Sequence, residues 1–323
     1  MVPVNEDLQT SAPRRDGGAG HVAESAAGRL SEDRDARQGE DMPQHGHLVV
    51  EARAAGFWRR ALRHPGFVVG SLLVLALVLM AGVSAFWTPY GPEDLDMEAM
   101  LESSSAAHWL GTDAFGRDVA SLLLLGAQAS LLAGVIAVGI GLGAGLLLGL
   151  LAAARPGRTA DFMLAFPAIL TAIMLTAVFG AGLGNAIVAV GIYNIPSFVR
   201  ITRAAAAGVW SREYAMAARA CGLGPWQITW RHVLPNILPL LLVQATVRFA
   251  VAILAEAALS FLGFGVQPPQ PSWGRMLADA QSVLFEAPLQ ALWPGLAIML
   301  AVLGLNLLGD GLRDLLDPKL RRR

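Results

Sequence analysis

Long stretches of this chain carry no charge, and polar segments separate them. Pro65–Pro92 is uncharged, as are the 36 residues of Val119–Ala154, the 38 of Phe162–Val199 and the stretch Ala287–Gly309. A further apolar run over 237–262 is interrupted by Arg248 and Glu256 alone. About 20 apolar residues in a helix cross roughly 30 Å of hydrocarbon. A helix also satisfies its own backbone polar groups there. The runs therefore predict an all-α, polytopic membrane protein of about six transmembrane helices. The first span is Phe67–Trp87. The second run is too long for one perpendicular span, so an interfacial lead-in is expected before a span at 130–153. Gly180, Gly182 and Gly184 divide the third run into spans at 162–181 and 185–203. The fifth span is 237–262 and the sixth 289–308.

Charge sets the orientation. With six spans both termini lie on one side, and basic residues mark the inner side. Beyond residue 50, sixteen Lys and Arg fall on that side, from Arg53 to Arg323, and only Arg117 and Arg275 on the other. The chain is read as N-in, C-in. Its first outer loop is acidic, with Glu93, Asp94, Asp96, Glu98 and Glu102. Residues 1–55 show no apolar periodicity and are expected to form a disordered inner extension. The apolar run near Phe67 starts too late for a cleaved signal peptide and would serve as a signal anchor.

Composition narrows the chemistry. The chain has 323 residues, of which 54% are hydrophobic and 15% charged. A single cysteine, Cys221, excludes a disulfide framework and a cysteine-based zinc site. His45 and His47 sit in the polar tail and suit solvent better than a metal. No phosphate loop is possible, because the one lysine is Lys319 in Asp-Pro-Lys-Leu. No nucleophilic triad or carboxylate pair marks a catalytic site. Energy for any transport must come from another chain or from an ion gradient. Gly141, Gly145 and Gly149 repeat every four residues, which fits a helix-packing stripe or, alternatively, a conduit lining.

The loop over 208–235 carries the most local information. Ser211 suits an N-cap, Glu213 suits the positive end of a helix dipole, and Gly222 suits a helix stop. Pro225 then suits the first turn of a second helix running to Pro235. A short helical hairpin at the inner surface is predicted.

Within that hairpin Ala217-Ala218, Gly222 and Leu234-Pro235 resemble the EAA loop of ABC import permeases. Gly111-Thr-Asp-Ala-Phe-Gly-Arg-Asp118 resembles the outer-loop signature of the C-type subunits in the dipeptide, oligopeptide and nickel group. So do Ala165-Phe-Pro167, Ala255–Gly263, Val266–Pro269, Pro271–Gly274 and Asn306–Asp314. The resemblance covers about residues 57–320. It implies a type I ABC importer permease fold with an inner coupling helix, in a prokaryotic cell membrane. It also implies a second, homologous permease subunit, two ATP-binding subunits or domains holding ATP and magnesium, and an extracytoplasmic substrate-binding protein. This chain would bind lipid but no cofactor and no nucleic acid. Carried over by motif, the ATPase-coupling residues are Glu213, Met216, Ala217, Ala218, Gly222, Leu234 and Pro235. The outer docking residues are Gly111, Asp113, Gly116, Arg117, Asp118 and Trp273. The Glu that names the EAA motif is Met216 here, leaving the loop's negative charge to Glu213. The connection Ala154–Asp161 is shorter than the family's usual one.

Two charges lie inside a span, Arg248 and Glu256. They are candidates for the translocation path, or else hold a neighbouring helix. At eight residues apart on one helix they are not expected to pair. Asp310, Arg313, Asp314 and Asp317 are spaced for local ion pairs. The resemblance implies import of di- or oligopeptides, with nickel or another small solute as the alternative. An ion-gradient transporter is the competing class, and it would have no need of the hairpin.

Overall fold

The computed structural model describes residues 59–154 and 168–316. The expected tail at 1–55, the short connection after Ala154, the start of the third span, Ala165–Pro167 and Asp317–Arg323 lie outside the described residues. Helices in chain order are α1 (Pro65–Phe86), α2 (Val119–Ala154), α3 (Ala168–Phe179) and α4 (Leu183–Trp210). The short α5 (Glu213–Ala220) and α6 (Pro225–Ile228) follow, with a π-helical turn at Thr229–Val233. Then come α7 (Leu234–Phe261), α8 (Trp273–Ala280) and α9 (Leu289–Leu316). Among the described residues the fold is helical, with one isolated β-bridge between Thr112 and Asp118.

Four helical segments are long and apolar enough to cross a membrane: α1, α2, the continuous run Pro225–Phe261, and α9. α4 has the length, at 28 residues, but Asn185, Asn194, Pro196 and Arg200 dilute its apolar character. Glycines end α3 and restart the chain as α4, with positive φ at Gly180 and Gly182. The Asn185 side-chain amide donates to the Phe179 and Gly180 carbonyls, both at 2.9 Å, and closes that turn.

Two expected boundaries and one expected contact differ. α2 is one unbroken helix, with no break between lead-in and span; its 36 residues rise about 54 Å. The outer turns stay helical because they are covered: Val119, Leu122 and Leu123 are buried in a cluster with Trp273 and Met276. Secondly, the second arm of the inner hairpin does not stop at Pro235 but runs on into α7. Pro235 lacks an N–H and its ring crowds the carbonyl four residues back. The helix widens by one residue instead of breaking, and the Leu234 N–H bonds to the Thr229 carbonyl. Thirdly, the described partner of Asp314 lies off its own helix. Asp314 meets His64 Nε2 at 3.1 Å, and His64 Nδ1 also accepts from the Phe67 N–H as the cap of α1. The start of the first span is thereby tied to the inner end of the last.

Helices approach closely through small residues. α2 and α4 run parallel, with Gly141 against Asn194, Gly145 against Phe198 and Gly149 against Thr202. A Cβ on these glycines would stand 2.6, 2.3 and 2.6 Å from the partner's Cβ. The stripe is therefore a packing seam. Between α1 and α9 the same device works antiparallel: Gly311 faces Phe67, and Gly304 faces Leu73.

Replacing Gly145 with Ala is expected to force this seam apart, at a cost of about 1–3 kcal/mol. The comparison is Gly139→Ala on the same helix, where nothing lies within 4 Å of the added carbon. Thermal unfolding in detergent should show a lowered Tm for the first variant only.

Candidate functional site

The inner hairpin is built by local rules. α4 ends at Trp210, and Ser211 serves that helix as its C-cap, its hydroxyl donating to the Gly208 carbonyl at 3.1 Å. Ser211 is therefore not the N-cap of α5. That place is taken by Arg212, which caps with no side-chain bond, because two residues separate the helices. Glu213 stands in the first turn of α5 as expected. The helix stops at Gly222, where φ is +84°. The Leu223 N–H bonds to Ala218 O at 3.2 Å and the Gly222 N–H to Arg219 O at 3.0 Å. This paired closure requires a left-handed residue, and glycine supplies it without a Cβ penalty. Pro225 opens α6 as expected, and the Gln227 side chain accepts from the Gly224 N–H at 3.1 Å.

α5 has two faces. Ala215 and Ala218 are buried against α4 and the π turn, in a core shared with Val209, Ile228 and Val233. Glu213, Met216 and Ala217 point outward, and Met216 is 53% exposed. Of the seven residues assigned to coupling, Ala218 thus anchors the helix. Leu234 packs partly on the same core, and Pro235 is exposed. Tyr214, Trp226 and Trp230 add exposed aromatic surface beside the hairpin, with the two indoles edge to face at 5.8 Å.

On the outer side, the residues assigned to docking turn inward. Asp113 accepts from the Phe115 and Arg117 N–H groups at 2.8 and 2.9 Å and from Arg117 Nε at 2.7 Å. Asp118 accepts from the Ser121 N–H and hydroxyl at 2.8 and 2.7 Å, starting α2, and meets His108 at 3.1 Å. Arg117 reaches on to Asp279 at 3.4 Å, and Asp279 also pairs with Arg275 at 3.0 Å. Gly116 passes so close to the Asp96 carbonyl that a Cβ there would overlap it. Gly111 turns the chain into the Thr112–Asp118 bridge. Trp273, 1% exposed, donates its indole N–H to the Leu123 carbonyl at 3.0 Å. These groups fix the loop's shape and fasten α8 to α2. The surface they present is made by others, such as Trp109 and Phe115.

The two charges within α7 differ in their surroundings. Glu256 is 1% exposed; Ser260 donates to it at 2.8 Å and Ser130 of α2 at 3.4 Å. The Val266 N–H in turn bonds to the Ser260 hydroxyl at 3.0 Å. Glu256 therefore ties α7 to α2 and to the outer loop. Arg248 has no hydrogen bond or ion pair among the described residues, and its Nε is shielded from solvent. The two are not paired with each other, as their spacing implied. Spacing could have found the Ser260 and Asp279 contacts, each four residues from its partner. Ser130 and His64 gave no such sign.

Comparison with known proteins bears on most of the chain. Residues 137–322 match the family described as binding-protein-dependent transport system inner membrane component. Residues 54–104 match the N-terminal TM domain of oligopeptide transport permease C. The glutathione transport system permease protein GsiD of Pectobacterium atrosepticum is 44% identical over 273 residues, 82% of this chain and 91% of its own. The di/tripeptide transport system permease protein DppC of Pseudomonas aeruginosa is 43% identical over 85% of this chain and 95% of its own. The dipeptide permease DppC of Alkalihalophilus pseudofirmus is 41% identical over 82% and 90%. In fold, a chain of the inward-facing MetNI methionine ABC transporter superposes with a TM-score of 0.51 at 22% identity, covering 61% of this chain and 97% of that one. With the family profile running through α4, the hairpin, α7 and α9, and these relatives matching four-fifths of its length, the chain belongs to the binding-protein-dependent transport system inner membrane components, as a multi-pass membrane protein.

Proposed function

We propose that the chain is one of two permease subunits of an ATP-driven importer for short peptides, and that α5 is the helix by which separate ATPase subunits move it. The observation that carries this reading is the protruding hairpin. Its outward face presents Glu213, Met216 and Ala217, its inward face is locked to the bundle by Ala215 and Ala218, and its second arm is continuous with α7. A helix held in this way moves as a body with the spans that it joins. ATP binding to the partner subunits would favour one arrangement of the bundle over another, which is how differential affinity drives alternating access. The outer loop shaped by Asp113, Arg117, Asp118 and Trp273 is the platform for an extracytoplasmic binding protein. The chain itself performs no chemistry; ATP and magnesium reside on the partners. Peptide, as the cargo, is supported by the relatives named for di- and tripeptide and for glutathione transport, glutathione being itself a tripeptide.

Purification of the tagged chain from native membranes in mild detergent is expected to bring with it a second permease and P-loop ATPases. Recovery of the chain alone across several mild detergents would overturn the importer reading in favour of a gradient-driven transporter.

Point variants test the coupling helix. Ala217→Arg alters an exposed position and is expected to abolish ATP-driven uptake with the protein still in the membrane. Gly222→Val should act through the backbone, since nothing lies within 4 Å of its Cβ while a φ of +84° costs a β-branched residue about 1–2 kcal/mol. Uptake is expected to fall at least tenfold, measured as labelled peptide accumulated by whole cells. Normal uptake by both variants would remove the coupling role from α5.

A further inference from the structure

α7 carries its one cation where a membrane helix can least support it. Arg248 lies 14 residues after Leu234 and 13 before Phe261. At 1.5 Å per residue the head group's helix position is about 20 Å from either end, so snorkelling to an interface offers little relief. Glu256 does not neutralise it. That carboxylate stands eight residues on, about 12 Å along the axis, and is committed to Ser260 and Ser130.

The surroundings of Arg248 on its own helix are informative. Gln244, Arg248, Val251 and Ala255 fall at three- and four-residue spacing and form one row, half-buried throughout. On one side the row is closed: Leu241, Ala252 and Leu259 are buried in the core shared with α4, and beyond them Glu256 and Phe249 face α2. On its other side the helix is open, with Leu240 and Leu254 exposed. Gln244, one turn from Arg248, also has no hydrogen bond to any described residue. Two neighbouring polar groups with no partner among the described residues, on a face left partly open, would be doubly costly against lipid. Against a water-filled path they cost little.

Given the importer reading on which this rests, we infer that Arg248 lines the translocation path and receives the carboxylate of the passing peptide. A guanidinium offers a planar fork of donors that matches a carboxylate two bonds at a time. The C-terminal carboxylate is the one anion that every linear peptide carries, so a single arginine would serve cargo of any side-chain sequence. Gln244 is placed to add an uncharged hydrogen bond one turn inward. Because the row is half-buried rather than enclosed, a water-filled path beside it would make the bond form in competition with solvent, which keeps it weak enough for the peptide to leave.

The test uses the complete transporter in proteoliposomes, with its binding protein and trialanine as the cargo. Arg248→Gln is expected to lower trialanine uptake at least tenfold, and Arg248→Lys to recover a substantial part of it. Both should retain the partner subunits. In a Cys221→Ser background, the Arg248→Cys variant should react with the membrane-impermeant anion 2-sulfonatoethyl methanethiosulfonate. Saturating trialanine should slow that reaction. Unaltered uptake by Arg248→Gln, no reaction at position 248, or reaction that trialanine does not slow would overturn the inference while leaving the importer intact. Loss of the second permease from the Arg248→Gln complex would overturn it too, by showing that the guanidinium pairs with that chain. Failure of the unaltered chain to purify with any ATPase would instead strike the importer reading itself.

Discussion

Lipid tails are as apolar as leucine, so helices in a bilayer gain little by hiding apolar side chains from their surroundings. What binds α2 to α4 is close approach. Three glycines of α2, four residues apart, let Asn194, Phe198 and Thr202 of α4 settle directly on its backbone. Dispersion between atoms at contact distance, summed over about two turns, replaces the hydrophobic term that a soluble bundle would use. The same device joins α1 to α9. With α2 and α4 fixed in parallel, the intervening chain has to return across the membrane. The two ends of the inner hairpin are then set by α4 on one side and α7 on the other.

That arrangement holds the hairpin between two long helices. α4 runs as one helix to Trp210, two residues before α5, and α7 is continuous with the arm that starts at Pro225. The π turn before Pro235 preserves this continuity: the proline removes a donor and adds a clash, and the backbone absorbs both by inserting one residue in a turn. From Pro225 onward the second arm is therefore joined to the middle of α7 through unbroken helix, and only the turn at Cys221–Gly224 lies between it and α5. Arg248 stands at that middle.

The outer face follows another logic. Buried carboxylates there each spend their oxygen atoms on nearby N–H groups, as Asp113 does on Phe115 and Arg117, and Asp118 on Ser121. Arg117 and Arg275 then share Asp279, which joins the first outer loop to α8. Glu256, Ser130 and Ser260 fasten the same region from below. A loop shaped in this way is held by bonds within itself and to α8.

The sequence by itself determined whatever depends on neighbours a few residues away. Uncharged runs placed the helices, basic residues oriented them, and Gly222 and Pro225 marked the stop and restart of the hairpin; the motif series around Gly111–Asp118 and Ala255–Gly263 pointed to the family. The glycine repeat on α2 was visible as a stripe, but its partner was not. Tertiary structure decided which of the two readings of that stripe holds. It also turned Ala218 inward and Ala217 outward, sent Asp314 to His64, and committed Glu256 to Ser130 while leaving Arg248 without a described partner. The reason is physical. Turns, caps and helical faces are fixed by contacts at spacings of three and four along one chain segment. Residues 126 or 250 positions apart, such as Ser130 and Glu256 or His64 and Asp314, meet only once whole helices have packed.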